Sequence, residues 1–339
     1  MNAREQAQWK WDHVAKPLHS LGLLEDMIVK IAGIHETANV RIDKRCALVF
    51  CADHGVVAEG VSQSGSEVTQ LVAQSIAEGT ANINLMAGFS NADVYAVDMG
   101  MLNPVPGTLD RRIAEGTANM AKQPAMTCEQ AQSALQAGID LVGEMKEKGY
   151  QIILTGEMGI GNTTASTAMS CALLEFSPEG LTGRGAGLSD AGLVRKRNAI
   201  ERALSVNRPD ANDPVDVLAK VGGLEIAGMA GAFLGGVEHR VPVIIDGVIS
   251  AVAALVAARI CPEAKDFMLP SHMSREPAAL RIMDELELKP IIHADMALGE
   301  GTGAAALLPL LDMALRVYHG PHTFDDLGMD VYTPQEGKK

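Results

Sequence analysis

The chain has 339 residues, is 47% hydrophobic but only 4% aromatic, and carries a net charge of −14. That length permits one large α/β domain or two smaller ones, with on the order of three quarters of the extended surface buried. An acidic chain without a run of Lys or Arg argues against nucleic acid and against an anionic membrane surface as partners.

From the N-terminus, Met1 to Gln6 lacks the apolar core of a signal peptide. Residues 8–33 carry an amphipathic pattern (Trp9, Trp11, Val14, Leu18, Leu21, Leu24, Ile28, Ile31) broken by Pro17 and Gly22, which predicts two or three short helices. From residue 46 the rhythm changes to short β-branched runs alternating with longer helical ones. The predicted strands are Ala47–Ala52, Val94–Val97, Gln151–Leu154, Val241–Ile245, Asp266–Leu269 and Pro290–Ile292. Spacers long enough for crossover helices imply an α/β fold, a mainly parallel sheet with helices on both faces. After residue 303 the chain returns to helix, from Ala304 to Tyr318. The similar texture of the two ends predicts a small helical subdomain of residues 1–35 with 304–339, beside a large α/β catalytic domain at 36–303.

Five Cys, at 46, 51, 128, 171 and 261, show no Cys-x-x-Cys spacing, as befits free thiols in a reducing compartment. Cys46, Cys51 and Cys261 lie in apolar context and read as buried small hydrophobes. The most membrane-like stretch, 247–258, falls well short of the roughly 20 apolar residues that span a bilayer. It reads as a buried helix, and the protein as soluble and cytoplasmic.

Polar residues cluster just after the predicted strands, in Asp53-His54-Gly55, Asp98-Met99-Gly100, Thr155 to Thr164, Asp246-Gly247, Ser271 to Ser274 and Ala297 to Gly303. Ligands of open α/β sheets bind beyond the carboxyl ends of strands, so these six tails are expected to converge on one crevice. The richest is Thr155-Gly156-Glu157-Met158-Gly159-Ile160-Gly161-Asn162-Thr163-Thr164, read as a glycine-rich turn leading into a helix. Such a turn aims backbone N–H groups and a helix N-terminus at an anion. It imitates a P-loop, but Asn162 stands where Lys would reach a triphosphate. A phosphomonoester suits it better, and Glu157 would face a sugar hydroxyl or a developing cation. A second glycine-rich loop at 182–188 precedes a helix bearing Arg195-Lys196-Arg197. Arg184 or Lys196 could supply the charge that Asn162 lacks; otherwise the basic cluster is a solvated helix face.

Glu300 is flanked by Gly299, Gly301 and Gly303. Held in a water-poor pocket, such a carboxylate has its pKa raised toward the range of a general base. Asp53 and Asp246 read as loop-ordering carboxylates. His54 and His272 follow strands, but without metal-ligand spacing they do not make a metal site.

Taken together, Ala52-Asp53-His54-Gly55 through Ser62, Gly156 through Thr164, Gly183-Arg184-Gly185, Ser271-His272 and Leu298-Gly299-Glu300-Gly301-Thr302-Gly303 resemble the nicotinate-nucleotide–dimethylbenzimidazole phosphoribosyltransferase family, collinearly from about Trp11 to Asp326. The resemblance implies a Rossmann-like sheet plus a small helical domain. It implies transfer of phosphoribose from nicotinate mononucleotide to 5,6-dimethylbenzimidazole or a related aromatic base, with release of nicotinate and formation of the α-ribotide of cobamides. Glu300 would be the catalytic base, with Glu157 near the ribose. Gly159, Gly161, Asn162, Thr163, Gly185, Lys196 and Ser274 would hold the nucleotide, and Ser62, Gln70 and Leu298 the acceptor. No metal or cofactor is implied, and the family assembles as a dimer. Gly65-Ser66 and Ala297 depart from the common family pattern. They leave open a branch that uses phenol or p-cresol as a heterodimer of related chains, in which this chain would be an active or a non-catalytic subunit.

Overall fold

The computed structural model describes residues 1–333; residues 334–339, the end of the predicted helical subdomain, lie outside the described residues. Six strands, β1 (Arg45–Ala52), β2 (Asp93–Gly100), β3 (Leu109–Asp110), β4 (Ile152–Met158), β5 (Val243–Ile245) and β6 (Met268–Pro270), form one sheet. Their order is β3-β2-β1-β4-β5-β6, and every neighbouring pair is parallel. This is the α/β architecture that the alternating rhythm predicts.

β1 shows why the sheet is central. All eight of its residues are buried. Cys46, Leu48, Phe50 and Ala52 pack into one core with the helices Cys128–Glu147 and Leu224–His239. The alternate residues Ala47, Val49 and Cys51 pack into a second core on the opposite face. A strand covered on both sides needs apolar residues on both, hence the unbroken hydrophobic run. The second face is covered by Ala3–His13, Leu23–His35 and Thr302–Tyr318. The helices of the two chain ends meet there, with the Trp11 and Tyr318 rings 5.0 Å apart.

The structure corrects four readings. Pro290–Ile292 is not a strand: a single bridge joins Ile292 to His272, and Pro290 cannot donate to a ladder. The edge strand β3 has no counterpart in the predicted set, because two residues carry no periodicity to read. β4 runs past Leu154 to Met158, so Gly156 and Glu157 are strand residues and the turn proper is Gly159–Gly161. Cys261 is half-buried at the end of the helix Val248–Ile260, whereas Cys171 is buried.

Candidate active site

Beyond the carboxyl ends of β4, β5 and β6 lies a cleft of about 250 Å³. Of the residues singled out in the sequence, it is lined by Glu157, Gly159, Asn162, Thr163, Gly185, Ser274, Leu298 and Glu300. Three strand tails, those after β4, β5 and β6, therefore meet there with residues 297–300 of the last glycine-rich loop. The tails of β1 and β2 do not reach it, which corrects the expected six-fold convergence. Their side chains are used in holding backbone. Asp53 accepts from the Leu102 N–H at 2.7 Å, and Asp98 from the Gly100 and Met101 N–H groups at 2.9 Å. His54 Nε2 lies 2.6 Å from Glu225 Oε1 in a fully enclosed pair behind the Gly159–Gly161 turn.

One end of the cleft is built by that turn and the helix Asn162–Leu174. The N–H groups of Asn162 and Thr164 close onto the carbonyls of Gly159 and Gly161 at 3.0 and 2.9 Å, and that of Ile160 onto Thr69 Oγ1 at 3.1 Å. Among the described residues this leaves the Gly161 and Thr163 N–H groups without an acceptor. Lys196, wholly buried, donates to Thr163 Oγ1 at 2.8 Å and to the Gly183 carbonyl at 3.2 Å. Gly185 packs against the same Thr163 hydroxyl. Burial pulls the Lys196 ammonium down to about 8, against the raising pull of Glu276. Arg184 is tied instead to Asp190 and the Leu188 carbonyl. Free amides of a helix N-terminus beside a desolvated ammonium make an anion cradle.

The other end presents Glu300. Its side chain is 9% exposed, and its Oε2 accepts from the Ile83 N–H at 3.4 Å. Burial raises its carboxyl above the usual range, the Asp246 charge adds to this, and the Ile83 N–H and Asn82 side chain oppose it. Glu157 is pushed well above the usual carboxylate range, chiefly by burial and then by Asp246; the amide of Asn162 donates to it and pulls the other way. The two ends are tied together at Gly156, where any Cβ would collide with the Glu300 carbonyl. The glycine is required in the strand because the loop bearing Glu300 crosses directly over it.

The remaining candidates sit nearby. Gly161 and Ser62 line a smaller adjoining space of about 70 Å³, which shares Gly159, Ile160, Asn162, Thr163, Gly185 and Ala186 with the cleft. Gln70 is half-buried on the helix Glu67–Ala77, two residues before Val72, which does line the cleft. Leu298, 55% exposed, stands at the mouth. Sequence reasoning missed Glu276 on the cleft wall and the Asn82–Ile83 contact to Glu300. Neither carries a local signal, since both are made by distant segments. Among the described residues, no cluster of three or more His, Cys, Asp or Glu is placed to hold a metal ion.

Residues 1–329 match a family described as phosphoribosyltransferase. The chain is 45% identical over 333 residues to the nicotinate-nucleotide–dimethylbenzimidazole phosphoribosyltransferase of Acetivibrio thermocellus, covering 98% of this chain and 95% of that one. It is 44% identical over 339 residues to that of Halalkalibacterium halodurans, covering 99% and 95%. CobT from Thermus thermophilus superposes with a TM-score of 0.90 at 39% identity, over 97% of this chain and 99% of its own. With similarity running through sheet, cleft and both glycine-rich loops, the chain belongs to the nicotinate-nucleotide–dimethylbenzimidazole phosphoribosyltransferase family.

Proposed function

We propose that this chain transfers phosphoribose from nicotinate mononucleotide to an aromatic base of the 5,6-dimethylbenzimidazole type, releasing nicotinate. The observation that carries the reading is one cleft bounded at one end by Gly159, Asn162 and Thr163, with Lys196 behind the Thr163 hydroxyl, and at the other by a buried, pKa-raised carboxylate. The 5′-phosphate sits on the free N–H groups of Gly161 and Thr163 with Lys196. Gly159, Asn162, Gly185 and Ser274 shape the wall around the nucleotide. Nicotinate attached to ribose is already a pyridinium, so its C1′–N bond breaks with the electron pair going to nitrogen and needs no acid. An acceptor ring nitrogen forms the new bond to C1′. The ring N–H that becomes acidic in that step loses its proton to Glu300. Glu157 lies where positive charge on the ribose and pyridinium would ionise it and be stabilised in return. Ser62, Gln70 and Leu298 bound the acceptor side. Holding both reactants in contact supplies much of the remaining acceleration.

The purified chain with nicotinate mononucleotide and a panel of benzimidazoles, purines and phenols should release nicotinate in step with ribotide formed from a benzimidazole. Release without acceptor, or ATP hydrolysis in its place, would overturn the reading.

We infer further that, of the two assemblies left open, a dimer of this chain with itself or with a related chain, the first forms through the helices Glu67–Ala77 and Asn82–Phe89. Leu71, Leu85 and Phe89 on them are 58%, 70% and 80% exposed, and a partner seated there would cover them. The same segments supply Val72 to the cleft and the Ile83 N–H to Glu300, so a partner seated there would adjoin the acceptor end. Sedimentation should give twice the chain mass, and Phe89→Glu the single mass. A wild-type monomer at micromolar concentration contradicts this.

A further inference from the structure

Glu300 has a left-handed backbone, φ 62°, between Gly299 at 87° and Gly301 at 91°. A non-glycine residue there costs of order 1–3 kcal/mol and persists only where its surroundings enforce it. What enforces it is reached by asking where the neighbouring N–H groups go. The Gly301 N–H donates to Asp246 Oδ2 at 3.2 Å, and the Ala304 N–H to Asp246 Oδ1 at 3.0 Å. Asp246 directly follows β5, is 2% exposed and lines the cleft. Its two oxygens thus grip the chain on either side of the first turn of Thr302–Tyr318, one residue past Glu300.

The neighbouring side chain closes the grip. The Ser271 hydroxyl spends its hydrogen on the Ile245 carbonyl at 2.6 Å, so it receives Nδ1–H from His272 at 3.1 Å. The ring, fixed in that way, packs against Gly303 so tightly that a Cβ there would collide with it, and would stand 2.9 Å from Asp246 Oδ1. Burial raises the Asp246 carboxyl, while His272 and the backbone N–H groups of Ala304, Gly301 and Gly303 pull it back down.

We propose that Asp246 is a positioning residue for the transfer reaction, holding the 299–304 loop so that Glu300 meets the acceptor. It does not touch the reacting atoms and acts through Glu300, so the inference rests on Glu300 being the base. The titratable groups facing the loop are Glu157 at the end of β4, Asp246 after β5 and His272 after β6, with Glu276 also on the cleft wall. The Asp246 charge also lifts the Glu300 carboxyl, by less than burial does and by less than the Ile83 N–H and the Asn82 side chain pull it down, which gives the role a signature that a merely structural residue lacks.

The test compares Asp246→Asn and Asp246→Glu with wild type and Glu300→Gln in the full chain, with nicotinate mononucleotide and 5,6-dimethylbenzimidazole. Asparagine opposes an NH₂ to one backbone N–H and removes the charge. It should cut kcat by about 10–100-fold, the scale of a misplacement near 1 Å, with little change in the nucleotide KM. The acid limb of kcat/KM should move to lower pH. Asp246→Glu keeps the charge but displaces the loop, so kcat should fall while the limb stays. The inference is overturned if either variant turns over like wild type, or if Asp246→Asn loses rate without moving the limb; should Asp246→Asn not fold, Asp246→Glu alone decides. A wild type that transfers nothing, or a fully active Glu300→Gln, would instead sink the reading of the site itself.

Discussion

Replacing Glu300 with Gln is expected to remove most turnover while leaving nicotinate mononucleotide binding nearly intact. Glutamine keeps the shape and can still accept from the Ile83 N–H, which wild-type Glu300 receives at 3.4 Å, but it cannot take a proton. Loss of a general base costs typically about 10²–10⁴-fold in rate, and the acceptor here must shed its N–H proton as the new bond forms. The pH dependence follows from the same environment. Burial and the Asp246 charge raise the Glu300 carboxyl, and the working form is the ionised one. The rate should therefore climb with pH through a limb lying above the ordinary glutamate value of about 4.3. A wild-type-like rate in Glu300→Gln, read from nicotinate release, would remove Glu300 from its role.

Lys196→Ala is expected to act on the other end of the cleft, raising the KM for the nucleotide with a smaller effect on kcat. Hydrogen bonds to charged groups contribute about 1.5–3 kcal/mol, which corresponds to roughly 10–100-fold in affinity. Lys196 fits this role because it is wholly buried and reaches Thr163 Oγ1 at 2.8 Å, beside the free N–H groups of the turn. Its ammonium, pulled to about 8 by burial, is charged below that pH and discharged above it. Nucleotide binding by the wild type should weaken as pH rises through that value, and the variant should lose this dependence. An unchanged KM, or an alkaline loss that survives in Lys196→Ala, counts against the assignment.

How far these groups could be read from sequence depends on what fixes them. β1 announces itself, as does the Ile152–Leu154 part of β4, since strands buried on both faces read as apolar runs. β3 could not be read, because its two residues exist as a strand only through pairing with β2. Gly156 was legible as special but not as a strand residue: its cause is the Glu300 backbone passing over it, a contact between segments far apart in the chain. Lys196 had a local signal, partly hidden by its basic neighbours. In the helix Asp190–Asn207 the buried positions Lys196, Ala199, Ile200 and Ala203 recur at helical spacing, which turns Lys196 inward while Arg195 faces outward and Arg197 is half-buried. Asp246 read as a loop-ordering carboxylate, yet which loop it orders is set by the end of β5 lying beside the start of Thr302–Tyr318, where Gly301 and Ala304 donate to it. Asn82 and Ile83 gave no signal, because their meeting with Glu300 is made by the docking of an otherwise ordinary helix.

Both reactants are expected in one cleft, the phosphoribosyl donor held by its phosphate and the acceptor facing Glu300. The most direct measurement is a crystal structure of the Glu300→Gln variant, slow enough to hold both nicotinate mononucleotide and 5,6-dimethylbenzimidazole. The phosphate should lie on the Gly161 and Thr163 N–H groups beside Lys196, with an acceptor nitrogen within hydrogen-bond reach of the residue 300 amide. A phosphate bound elsewhere, or an acceptor ring with no contact to residue 300, would contradict the account.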